Sequence, residues 1–70
     1  MVSLLNESKR KKLGSKLKKA REKMGLTQAE VAEKVGLTVN YYARLERGEE
    51  NTTLNRIDKV FEALKIKSLL

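Results

Sequence analysis

The sequence predicts an all-α fold, a compact bundle of four to five short helices. Three observations carry this. Apolar residues recur at steps of three or four along most of the chain, and the strict alternation of a half-buried strand is missing. Proline is absent, and only one phenylalanine and two tyrosines occur. Four glycines, Gly14, Gly25, Gly36 and Gly48, punctuate the helical runs.

The first helix is expected to start near Asn6 or Ser8 and to run to Met24, with Leu13, Leu17, Ala20 and Met24 on one face. Gly25 then supplies a left-handed C-terminal residue. Gly14 lies inside this run and costs about 1 kcal/mol against alanine; it marks either a close packing contact or a later helix start. The second helix has the clearest start signal. Thr27-Gln28-Ala29-Glu30 is a capping box, in which the Thr27 oxygen accepts from a backbone N–H and the Glu30 carboxylate reaches back to Thr27. Val31, Ala32 and Val35 form its inner face and Gly36 ends it. Thr38 is placed to cap a third helix from Val39 to Arg47. Tyr42 and Leu45 point inward on that helix, while Asn40, Arg44 and Arg47 line another face. Gly48 stops it. Glu49 to Thr53 is a polar loop, with Thr52 or Thr53 as cap of a fourth helix carrying the stripe Leu54, Ile57, Val60, Phe61 and Leu64. Ile66, Leu69 and Leu70 in the tail require burial, either against this chain or against a second copy.

Composition narrows the function. The chain has 70 residues and no cysteine or histidine. Disulfides, thiolate zinc sites and the usual neutral-pH acid/base are therefore excluded. No apolar run is long enough to span a bilayer, and MVSLLNESKR lacks the order of a signal peptide; a cytoplasmic protein is the default. The formal charge is +7, and it is unevenly placed. Up to Lys23 there are nine basic residues and two glutamates; from Met24 onward seven basic and seven acidic residues cancel. A localised basic surface suits nucleic acid first and an anionic membrane second, against the plain alternative of a solvated lysine-rich face.

The segment from Gln28 to Leu45 reads as two short helices joined by the tight turn Gly36-Leu37-Thr38, with the small Ala32 where they cross. These are the features of a helix-turn-helix, whose second helix enters the DNA major groove. From Leu13 to Ile66 the chain resembles the XRE-type helix-turn-helix regulators, which include the lambda and 434 phage repressors and Cro. The resemblance rests on Leu17 to Arg21, on Gly25-Leu26-Thr27-Gln28-Ala29-Glu30-Val31-Ala32, on Gly36-Leu37-Thr38, on Leu45-Glu46-Arg47-Gly48 and on Asn51 to Leu54. It implies a lambda-repressor-like domain in which Gln28 bonds a phosphate and braces the recognition helix. Thr38, Val39, Asn40, Tyr41 and Arg44 would then look toward DNA. Arginine can hold guanine O6 and N7, asparagine can hold adenine N6 and N7, and valine can pack on a thymine methyl. Arg44 is the first candidate for a base contact and Asn40 the second. Arg47, at the far end of the helix, suits a phosphate. Tyr41 suits either a phosphate or the helix edge. The resemblance also implies an ion pair between Arg21 and Glu46. Two positions depart from the family pattern: Tyr42 replaces a core isoleucine or valine, and Thr52 replaces a proline.

These readings give residues 1–8 as an N-terminal arm, 9–66 as the helix-turn-helix DNA-binding domain and 67–70 as a tail. The expected function is a sequence-specific transcriptional regulator of double-stranded DNA, repressor or controller in type. It would bind a palindromic operator as a homodimer, with no cofactor, metal, small-molecule ligand, membrane or enzymatic activity. Ile66, Leu69 and Leu70, with Phe61 or Leu64, are candidate dimer contacts. Lys9, Arg10, Lys11 and Lys12 are candidates for an arm on DNA, against a solvated helical turn. An adaptor or antitoxin on the same fold is the alternative; an apolar recognition face would favour the adaptor.

Overall fold

The computed structural model describes residues 6–66, which contain four helices and no strand. They are α1 (Glu7–Lys23), α2 (Gln28–Val35), α3 (Val39–Arg47) and α4 (Leu54–Ala63). Of the regions assigned above, the tail with Leu69 and Leu70 and most of the N-terminal arm lie outside the described residues, while Glu7 and Ser8 form the first turn of α1.

Each helix starts where a short polar side chain supplies an acceptor for an orphan backbone N–H. Asn6 Oδ1 accepts from Lys9 N at 2.8 Å. Thr27 Oγ1 accepts from Glu30 N at 3.1 Å while the Glu30 carboxylate accepts from Thr27 N at 2.8 Å, which completes the capping box. Thr38 caps α3 through Tyr41 N at 3.1 Å. Thr53 caps α4 through Arg56 N at 3.2 Å. Thr52 does not cap; its hydroxyl is buried with no hydrogen-bond partner, which is a small standing cost rather than a substitute for proline's preset turn.

The core is built from all four helices: Leu13 and Leu17 of α1, Val31 and Ala32 of α2, Tyr42 and Leu45 of α3, and Ile57, Val60, Phe61 and the cap residue Leu64 of α4. Each large apolar side chain buried this way contributes about 1.5–3 kcal/mol. α3 packs on α1 and α2, and α2 packs on α4, so the third helix is held from behind by two others. Phe61 and Leu64 belong to the core of this chain, at 2% and 3% exposure; they are closing the monomer and do not offer a dimer contact. Two residues that periodicity assigned to inner faces are exposed. Met24 follows the last residue of α1 and takes the C-cap position, where the helical face no longer applies. Leu54 opens α4 and is 54% exposed, because the first turn of that helix precedes its contact with the core.

Gly14 lies at a close approach of α1 to the end of α3. It is buried inside α1, and a Cβ there would collide with the backbone carbonyl oxygens of Leu45 and Glu46. The helix continues through Gly14, so the glycine permits the crossing of α1 over the end of α3 and does not mark a helix start. Gly48 completes the same corner. Its φ of +73° favours glycine, and a Cβ would lie 2.8 Å from Lys11 Cα.

Candidate nucleic-acid interface

The inner side of α3 is fixed by a charged cluster at the junction of three helix ends. Arg21 stands in the last turn of α1, Gln28 at the first residue of α2, and Glu46 near the end of α3. Arg21 Nε donates to Glu46 Oε2 at 2.6 Å and Nη2 donates to Oε1 at 3.0 Å. Nη1 donates to the Leu26 carbonyl at 2.9 Å. Gln28 Nε2 donates to Glu46 Oε1 at 3.0 Å. The side chains of Arg21 and Glu46 retain only 12% and 3% of their exposure. Two fork-to-fork bonds and two further hydrogen bonds offset the cost of burying these charges.

Protonation follows this geometry. Burial alone would push the Glu46 carboxyl up, but the hydrogen bonds from Arg21 and Gln28, the Tyr42 hydroxyl and the Arg21 charge together hold it below the ordinary carboxylate value. Glu46 in turn raises Arg21 above the ordinary guanidinium value. Tyr42 is wholly buried beneath this pair. Burial, and then Glu46, push its hydroxyl far above the ordinary phenol range. The hydroxyl acts on Glu46 electrostatically but makes no hydrogen bond of standard geometry.

The outer side of α3 is polar and exposed. Val39 is 44% exposed, and Asn40, Arg44 and Arg47 lie in the solvent-facing lane. Asn40 has no hydrogen-bond partner among the described residues. Arg44 Nη1 lies 3.5 Å from Glu50 Oε2, and Arg47 Nε lies 2.9 Å from Glu49 Oε1. Both arginines are more than half exposed, so these are loose pairs that water screens.

The structure therefore brings Arg21, Gln28 and Glu46 together on one side of α3 and leaves Thr38, Val39, Asn40, Arg44 and Arg47 exposed to solvent. Tyr41 joins neither group. Its hydroxyl donates to the Asn51 carbonyl at 2.6 Å and accepts from Arg56 Nη1 at 3.2 Å, with the Arg56 guanidinium 5.2 Å from the ring centroid. It ties the end of the loop to α3. Arg10 behaves in the same way. It donates to the Gly48 carbonyl at 3.4 Å and to Asn51 Oδ1 at 3.3 Å, so it closes the C-terminus of α3 and is neither a free arm nor a solvated turn. Glu49, Glu50, Asn51 and Arg56 were not singled out by sequence reasoning. Glu49 meets Arg47 two residues away, while Glu50, Asn51 and Arg56 reach partners farther along the chain that no local spacing signals.

A family model described as helix-turn-helix matches residues 17–69. Among solved structures, the restriction-modification controller protein C.AhdI from Aeromonas hydrophila is 34% identical, with a TM-score of 0.82 over 87% of this chain and 88% of that one. The clp gene regulator ClgR from C. glutamicum is 32% identical, with a TM-score of 0.79 over 81% of this chain and 73% of that one. A hypothetical transcription factor, NHTF from Neisseria, is 29% identical, with a TM-score of 0.80 over 96% of this chain and 78% of that one. No curated protein gives a match.

Proposed function

The chain belongs to the helix-turn-helix family, and from that premise we propose that it is a sequence-specific, double-stranded-DNA-binding transcriptional regulator that reads the major groove with α3. The observation that carries this reading is the outward lane of α3. Asn40, Arg44 and Arg47 stand exposed along a helix whose back is locked by the Arg21–Glu46 pair. A rigid helix with exposed, exchangeable hydrogen-bonding side chains along one lane is what base readout requires.

Roles follow from chemistry and position. Arg44 exchanges its loose contact with Glu50 for a guanine edge, and Asn40 takes an adenine. Val39 covers a thymine methyl, and Thr38 stands at the start of the helix beside the backbone. Arg47 meets a phosphate. Gln28 positions the docking: one of its two amide N–H groups holds Glu46, and the second is available to a phosphate, so the same side chain links the backbone contact to α3. Tyr41 braces the loop that carries Glu49 and Glu50.

The chain acts as a cytoplasmic homodimer on a palindromic operator, with the two recognition helices about 34 Å apart, one turn of B-DNA. It is not an enzyme and takes no small-molecule ligand. The likeness to C.AhdI favours a restriction-modification controller within the class. Residues 9–66 form the DNA-binding domain. An adaptor role is disfavoured by the polar outer lane, where a protein partner would favour an apolar face. Selection from a pool of random duplexes tests the proposal: the protein should enrich one partly palindromic sequence, and recovery of no preferred sequence would overturn it.

A further inference from the structure

The charge distribution poses a problem that the α3 face does not solve. DNA affinity rests largely on neutralising phosphates, yet from Met24 onward basic and acidic residues cancel. The two arginines of the outer lane each already face a loop carboxylate, Glu50 and Glu49. The excess positive charge lies instead on α1. Lys9, Lys12, Lys16, Lys19 and Lys23 follow one another at alternating steps of three and four, so they form a single lane of that helix. All five are exposed and none has an ion-pair partner among the described residues; the ion pairs that α1 makes there join Lys11 to Glu7 and Arg21 to Glu46. The lane flanks the side of α1 that buries Leu13, Gly14 and Leu17, and Lys16 lies over the Phe61 ring of α4 at 5.9 Å. It therefore borders α4 and stands apart from the outer lane of α3.

We propose that this lysine lane is a second, sequence-independent contact surface for the phosphate backbone of double-stranded DNA. From Lys9 to Lys23 it runs about 21 Å at 1.5 Å per residue, long enough to lie along several phosphates of a duplex. An anionic membrane is the weaker fit. Binding at a lipid surface needs an apolar face beside the basic one, and the apolar face of α1 is spent on the core. Single-stranded nucleic acid needs aromatic stacking platforms, and the one ring at the lane, Phe61, is buried. The regulator reading supplies the identity of the ligand class; the position and spacing of the lane do not depend on it.

The test compares two variants that lose equal charge. One carries Lys9, Lys12, Lys19 and Lys23→Gln and spares Lys16 with its ring contact. The other carries Lys18, Lys34, Lys59 and Lys65→Gln. Circular dichroism and melting confirm that both are folded. Binding to a random-sequence duplex is then measured across a salt series. The lane variant should lose at least tenfold in affinity near 0.1 M salt, with a salt slope shallower by about three to four, because each lost phosphate contact removes about 0.9 from that slope. The control variant should stay near wild type. Equal losses in the two variants would overturn the proposal, since net charge alone would then explain them, and so would an unchanged slope in the lane variant. Tighter binding of wild type to phosphatidylserine-containing vesicles than to duplex at the same salt would also overturn it. Failure of the regulator reading is a separate result: wild type would then show no preferred operator while the lane variant still lost its slope.

Discussion

The two sides of α3 carry charges of the same kind and use them differently. On the inner side, Arg21 and Glu46 are nearly excluded from water and joined by two short bonds, with Gln28 and the Leu26 carbonyl satisfying further groups. On the outer side, Arg44 and Arg47 meet Glu50 and Glu49 in the open. Exposure decides what each pair is for. The inner pair cannot be opened without stranding a buried charge, so it fixes the helix. The outer pairs cost little to break, so their arginines remain available to a ligand. One helix thus has a locked back and an exchangeable front.

Removing the inner carboxylate breaks that contrast most severely. Glu46→Ala should cost about 3 kcal/mol by leaving Arg21 partly buried and unpaired, which lowers the melting temperature by more than 10 °C in a domain of this size. Glu49→Ala should change it by about 2 °C or less. Equal melting temperatures for the two variants would erase the distinction between the sides.

The same carboxylate gives the inner side a pH signature. Its pKa is depressed in the folded protein, so its stabilisation is present above the ordinary carboxylate value and is lost as pH falls through the lower folded value. Wild type should therefore be the more stable protein at pH 7, and its advantage over Glu46→Gln should shrink steadily from about pH 5 to pH 3. A difference in melting temperature that stays constant over that range would show that the Glu46 charge is not what holds the junction.

Glu50→Gln sharpens the outer side. With Arg44 released and a carboxylate removed from the phosphates, binding to random duplex should tighten roughly two- to fivefold, since exposed pairs are worth up to about 1 kcal/mol. Binding to the preferred operator should tighten less, because Arg44 already leaves Glu50 there. Titrations of both duplexes at one salt concentration measure this, and a weaker affinity for both would mean that Glu50 orients Arg44 and does not restrain it.

The smallest effect is expected at Tyr42. Its hydroxyl is buried without a hydrogen-bond partner, so Tyr42→Phe keeps the packing and removes an unsatisfied group. The melting temperature should stay level or rise by a few degrees. A fall of several degrees would mean that the hydroxyl bonds Glu46 in solution and belongs to the inner cluster.

The sequence made the local grammar legible. The capping box at Thr27 and Glu30, the caps at Thr38 and Thr53 and the stop at Gly48 involve neighbours in the chain, and each is found where its residue types require. The inward stripe of α4 was readable except at Leu54, because periodicity does not reveal which helix turn lies beyond the core. The Arg21–Glu46 pair was reachable only through the family resemblance. The brace at Gln28 came only with the resemblance, which did not give Glu46 as its partner, and the contacts of Tyr41 with Asn51 and of Arg10 with Gly48 were not legible at all. They depend on how helices cross, and that crossing is set by Gly14 against the carbonyls of Leu45 and Glu46, a long-range fit with no local signature. The expectation for Gln28 was a brace, and the structure supplies its partner within the chain. For Tyr41 the structure supplies a partner in the loop.

The exchangeable front is the centre of this account, and Arg44 tests it most directly. The measurement is the ratio of affinity for the selected operator to affinity for random duplex, in wild type and in Arg44→Ala. Loss of a bidentate base contact should lower that ratio roughly 5- to 150-fold, the equivalent of about 1–3 kcal/mol, with the fold intact. An unchanged ratio, with both affinities falling together, would make Arg44 a phosphate contact and contradict the assignment of base readout to the outer lane of α3.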